Sequence, residues 1–237
     1  MINGMLRAAT LLFLLSPALA GQPGVAGDCA GMPSVQRPCA SSEIDRLTRE
    51  VETAYSVALN GIGSAGRSAL KRDQESFRRI LDQSLSLGDQ DAETLLTLRR
   101  DLLDSIRPSR GEWTGSWANA FGTIEILATS GGNYHVRLHA ADPGAGGWVC
   151  EFEDSAILAP RGIAMIVGAE SAADDHGGPN EGWTLAFRLA GDILMVEPLR
   201  PKGFPGAMPF CGKGGNVAGN FFAQDHGLAL RRTSERK

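Results

Sequence analysis

Few residues in this chain are of types that do chemistry, and they are widely spaced. The thiol candidates are Cys29, Cys39, Cys150 and Cys211, and the imidazoles are His135, His139, His176 and His226. Four thiolates could hold a zinc ion, but no pair has the C-x-x-C spacing of a structural zinc site. Four cysteines allow three disulfide pairings, and proximity in sequence favours Cys29–Cys39 with Cys150–Cys211. His135 and His139 fall on one face of an alternating stretch with Arg137 between them, which suits a solvated surface better than a metal site. Asp174-Asp175-His176-Gly177-Gly178 is an acidic loop without the ligand spacing of an EF-hand. No G-x-S-x-G, no H-E-x-x-H and no phosphate-binding glycine loop is present. A Ser/His/Asp triad need not be close in sequence, but nothing singles one out. The reading is of a non-enzymatic chain with no catalytic residues, no metal and no cofactor.

Two blocks of different periodicity must position whatever site there is. Ile44, Leu47, Val51, Tyr55 and Ala58 recur at steps of three and four, behind Ser41 and Ser42 as cap and Glu43 and Asp45 in the first turn. The run from Asn60 to Ser64 breaks that stretch. A second stretch carries Leu70, Phe77, Ile80, Leu81 and Leu85, with Lys71, Arg72, Asp73, Arg78 and Arg79 on its other, strongly charged side. A third carries Leu95, Leu98, Leu102 and Ile106 and stops at Pro108.

Beyond Arg110 the period becomes two. Ile124 and Ile126, then Tyr134, Val136 and Leu138, then Trp148, Cys150 and Phe152, then Trp183 to Leu189 alternate with other residues. Further strands are expected at 163–169, 193–197 and 217–223, with Gly- and Asp-rich turns between them. The fold class is α+β in sequential blocks. It comprises an N-terminal helical hairpin or small bundle, then a C-terminal antiparallel β-barrel or sandwich of seven to eight strands. The expected divisions are 1–20 for a signal peptide, 21–107 for the helical domain and 111–233 for the β domain.

The signal-peptide reading rests on the first twenty residues. Arg7 gives a weakly basic start, Ala8 to Leu15 an apolar run, and Ala18-Leu19-Ala20 the small residues before an expected cleavage at Gly21. The apolar run is too short for about 30 Å of hydrocarbon, so no transmembrane span is expected in the mature chain. A lipid anchor would need a cysteine where Gly21 stands. The expected location is the periplasm, an oxidising compartment in which an even cysteine count argues for disulfides. The formal net charge of −4 gives no general attraction to nucleic acid or anionic lipid.

Residues 28–85 resemble the N-terminal domain of LprI-type lysozyme inhibitors. The resemblance is carried by Cys29 and Cys39, by Leu47 and Tyr55, and by Leu70, Gln74 and Phe77 in an L-x-x-x-Q-x-x-W pattern with Phe for Trp. Thr48 stands in place of the family's aspartate, and Ser84 stands near a further family cysteine. Gln74 is placed to hydrogen-bond across the helical hairpin. In the second block, Ser130-Gly131-Gly132-Asn133-Tyr134 is similar to the S-G-x-x-Y loop of barrel-shaped inhibitors of c-type lysozyme. That resemblance implies binding roles for Ser130 and Tyr134, with Lys213 on a second loop. A hydroxyl and an ammonium would then occupy the enzyme's two carboxylates without offering a scissile bond. The same turn residues are also what any tight hairpin requires. Trp113-Thr114-Gly115-Ser116-Trp117 is loosely similar to the first strand of avidin- or lipocalin-type barrels, where tryptophan plugs an end or lines a ligand cavity. The expected function is protein binding in the cell envelope, with lysozyme as partner and envelope protection as outcome. The alternative is a small-molecule carrier.

Overall fold

The structure is a computed structural model that describes residues 42–86, 92–109, 111–143, 147–160, 162–166, 184–199, 208, 211–212 and 214–225. All of them belong to one compact unit, Arg37–Lys237. The apolar steps of three and four become three helices, α1 (Ser42–Gly61), α2 (Ser64–Ser86) and α3 (Ala92–Ser105). The period-two half becomes eight strands: β1 (Gly115–Ala118), β2 (Gly122–Ala128), β3 (Tyr134–Ala141), β4 (Val149–Ala159), β5 (Gly162–Ile166), β6 (Thr184–Ala190), β7 (Ile193–Leu199) and β8 (Gly219–Ala223). Each strand pairs antiparallel with the next. The ring closes where Trp117 pairs with Ala223 and Ala118 with Phe222, so the architecture is a closed barrel rather than a sandwich.

Alternation sends one side of each strand inward. Trp117, Ile124, Ile126, Val136, Leu138, Cys150, Ile163, Leu185, Phe187, Leu194, Val196 and Phe221 fill the barrel. Trp117 is buried and its indole Nε1 donates to the Trp113 carbonyl at 3.1 Å, while Trp113 packs against the same core. Both tryptophans are therefore packing residues. The disulfide Cys150–Cys211 closes a separation of 61 residues. Cys29 and Cys39 lie outside the described residues, as do Lys213, the 174–180 loop and the segment 1–20.

The opposite side of β7, β8 and β1 is also apolar, because the helices cover it. Phe222 and Ile193 point away from the barrel interior and join Leu47, Val51, Leu70, Phe77, Leu96, Leu103 and Ile106 in a second core. Helix α2 lies against β7 and β8. Backbone groups stitch the same seam: Arg107 N–H donates to the Ala223 carbonyl and Asp225 N–H to the Ser105 carbonyl, each at 3.0 Å. In the β6–β7 turn, Asp192 accepts from the N–H of Gly63 at 2.5 Å and of Ser109 at 3.2 Å. A side chain at position 63 would put Cβ 2.7 Å from Asp192 Oδ2, so the Asp192 carboxylate would have to move to admit one. No described helix is long and apolar enough to cross a membrane.

Candidate functional site

The β2–β3 hairpin presents an exposed polar turn, Ser130–Asn133. Seven cross-strand pairs, from Gly122↔Ala140 to Ala128↔Tyr134, fix its arms. Thr129 N–H donates to the Asn133 carbonyl at 2.9 Å and closes the turn. Gly131 and Gly132 sit at φ of +85° and +79°, a region that side chains disfavour, and both face open space. Ser130 and Asn133 are exposed on this rigid base. Tyr134 has a different role: it starts β3, is half-buried and packs against the barrel core. It anchors the turn, and Ser130 is what the turn displays.

The structure does not bring Ser130 and the neighbours of Lys213 to one surface. Cys211 is bonded to Cys150, and Gly212 N–H donates to the Val149 carbonyl at 2.8 Å. Cys150 faces Ala140, near the far end of β3 from Tyr134. Six strand residues of about 3.4 Å each separate these ends by roughly 20 Å.

What does stand beside the Ser130 turn is apolar, and it was not singled out from the sequence. Leu127, His135 and Ser155 form one cross-strand row and Ala128, Tyr134 and Ala156 the next, which places the β4–β5 turn alongside. Leu127, Ile157 and Leu158 are 46%, 53% and 63% exposed. Leu127 and Ile157 lie on the outer face, while Leu158 pairs with the buried Ile163 and lies on the inner side at the barrel's edge. Further along the outer face the residues are charged and paired. Arg137 bridges Glu125 at 3.2 Å and Glu153 at 2.8 Å, and His135 Nε2 lies 2.7 Å from Glu153. Hydrogen bonds from Arg137, and then from His135, hold the Glu153 carboxyl down at about 2. His139 is exposed on the same face, opposite Glu151. Among the described residues no group of three His, Cys, Asp or Glu side chains could hold a metal ion.

In the helical layer, Gln74 does reach across: its Oε1 accepts from Arg99 Nε on α3 at 2.9 Å. Asp73, read from the sequence as part of the charged side of the second helix, is nearly buried against Arg99. Helical spacing put it beside Arg72 and away from the apolar stripe, but α3 and the β1–β2 turn cover it. A shallow depression of about 470 Å³ lies between α1 and α3, with Arg46, Arg49, Glu50, Val57, Arg100 and Asp104 among its lining. Glu50 takes hydrogen bonds from both Arg46 and Arg100 there, so the guanidinium charge is largely spent internally. Compared with known proteins, the chain matches no family model, no curated protein and no solved structure.

Proposed function

We propose that this chain is an exported periplasmic protein that acts by binding another protein, and that its partner is a lysozyme-type glycosidase. The observation that carries the reading is the Ser130–Asn133 turn, a polar tip held by a paired hairpin and exposed at one end of the barrel. A hydroxyl on such a tip suits a cleft whose two carboxylates flank the scissile bond, because it hydrogen-bonds them and presents nothing to cleave. The resemblance of residues 28–85 to the LprI-type domain points the same way, as does a disulfide-bearing chain with an export-like start. A small-molecule carrier needs room inside the barrel. Here Trp117, Phe187 and Phe221, all buried, occupy that space, and protein binding is therefore the reading taken. The test is cell-wall lysis by c-, g- and i-type lysozymes with micromolar purified mature protein. Inhibition of at least one type is expected, and undiminished lysis by all three would end the reading.

A further inference from the structure

Three cross-strand rows make the outer face of β2, β3 and β4 one continuous patch. Leu127, His135 and Ser155 form the first row, Glu125, Arg137 and Glu153 the second, and Thr123, His139 and Glu151 the third. Alternation turns all nine side chains away from the barrel core, and none of them is buried. Arg137 holds two of the carboxylates in place. It donates to Glu153 from Nε at 2.8 Å and Nη2 at 3.0 Å, and to Glu125 from Nη1 at 3.2 Å. Glu125 and Glu153 still keep 43% and 46% of their side-chain surface in water. Glu151 is exposed and has no ion pair among the described residues. Three carboxylates against one guanidinium leave the patch at −2 while its imidazoles are neutral, half of the chain's formal −4.

We infer that this face docks a protein surface rich in lysine or arginine at neutral pH and releases it in acid. The sign of the patch selects the sign of the partner, and it disfavours nucleic acid and anionic lipid. Because Arg137 already fixes the Glu125 and Glu153 carboxylates, little side-chain freedom is lost when a cation arrives. Release comes from the two histidines, a side-chain type that gains charge just below neutral pH. His135 faces Leu127 on β2 and Ser155 on β4, with its Nε2 2.7 Å from Glu153, and His139 faces Thr123 and Glu151. The charged groups facing them are therefore Glu125 from β2 and Glu151 and Glu153 from β4, with Arg137 between them on β3. Protonating both imidazoles takes the patch from −2 to zero. Glu153 stays ionised meanwhile, since its carboxyl is held down at about 2. The inference goes beyond the glycosidase reading and does not depend on it.

The test is fluorescence anisotropy of labelled oligolysine titrated with the mature chain at low ionic strength, at pH about 7.5 and about 5.5. Wild type is expected to bind at the higher pH and to lose at least tenfold in affinity at the lower. Glu125→Gln/Glu151→Gln leaves the Arg137–Glu153 pair intact and should raise Kd at least tenfold at the higher pH. Glu75→Gln/Asp82→Asn, exposed on α2, changes the net charge equally and should leave Kd unchanged. His135→Gln/His139→Gln should bind equally at both pH values. Thermal midpoints identify any variant that fails to fold, and Glu151→Gln alone decides the matter if the double variant does. Absence of wild-type binding, or equal weakening by the α2 variant, would overturn the docking face. Equal wild-type affinity at both pH values, or acid release that survives in the histidine variant, would overturn the release.

Discussion

Asp73 Oδ2 lies 2.6 Å from Arg99 Nη1 with both side chains almost wholly buried, and Asp73 Oδ1 accepts the N–H of Ala120 at 3.0 Å. One carboxylate thus ties α2 to α3 and both to the β1–β2 turn of the barrel. The Arg99 guanidinium also donates to Gln74 and lies 5.2 Å over the Phe77 ring. Glu52 extends the network to α1 through Gln74 at 3.5 Å and Arg78 at 3.0 Å.

Removing one partner strands the other. Arg99→Met leaves a buried carboxylate without its counter-charge, and such changes cost about 3–5 kcal/mol. Urea denaturation measures the loss. Adding Asp73→Leu removes the stranded charge and is expected to restore part of the stability. Recovery stays incomplete because the Ala120 N–H then has no acceptor, a cost of about 1–3 kcal/mol.

The helices and the barrel are expected to unfold together. All four tryptophans, Trp113, Trp117, Trp148 and Trp183, lie in the β half, so fluorescence reports the barrel and ellipticity at 222 nm reports mainly the helices. Phe222 is a barrel residue buried among helix side chains, so the helices lose part of their core without the barrel, and the barrel bares Phe222 and Ile193 without the helices. The two probes should give one denaturation midpoint. Phe222→Ala should lower it for both, by about 3–5 kcal/mol in stability. Loss of ellipticity well before fluorescence would contradict the shared core.

The fold was legible because its periodicities are regular. Leu47, Val51 and Ala58 mark one helical face, and Val136 and Leu138 mark a strand face, without help from elsewhere in the chain. Phe222 and Ile193 were harder to read, since an outward strand position is apolar only when something distant covers it. The burial of Asp73 was hidden for the same reason: the charges around it are local, and Arg99 lies 26 residues away. Ile157 and Leu158 were not singled out, because the alternation at Trp148, Cys150 and Phe152 does not show that β4 runs on to Ala159. Ser130 and Lys213 were grouped by the resemblance, and strand length separates Ser130 from the described neighbours of Lys213.

The disulfide contributes through the unfolded chain. A closed loop of 61 residues corresponds to about 4 kcal/mol in the chain-entropy estimate. Cys150→Ala/Cys211→Ala should lose stability of that order. Guanidinium denaturation of wild type, with and without reductant, should give the same difference as the variant. A change under about 1 kcal/mol would show that the reduced unfolded state keeps the two ends together.

Glu153 gives a prediction in pH. Its folded value is depressed to about 2, below the usual carboxylate value of about 4.3. The stabilisation from its pairing is therefore present above the unfolded value and lost as pH falls toward about 2. Arg137 is the first cause of the depression. In Arg137→Ala, the Glu153 carboxyl carbon should titrate closer to the ordinary range by NMR. An unchanged midpoint would mean that Arg137 does not hold it.

The central claim is that a polar turn on this barrel occupies a glycosidase cleft. It is tested most directly by titrating the mature chain into c-type lysozyme acting on a soluble oligosaccharide substrate, alongside Ser130→Ala. The account predicts competitive inhibition by the wild type and an inhibition constant raised at least tenfold by Ser130→Ala, a loss of about 1.4 kcal/mol or more. Full enzyme activity at micromolar wild-type protein, or equal inhibition by the folded Ser130→Ala variant, would contradict it.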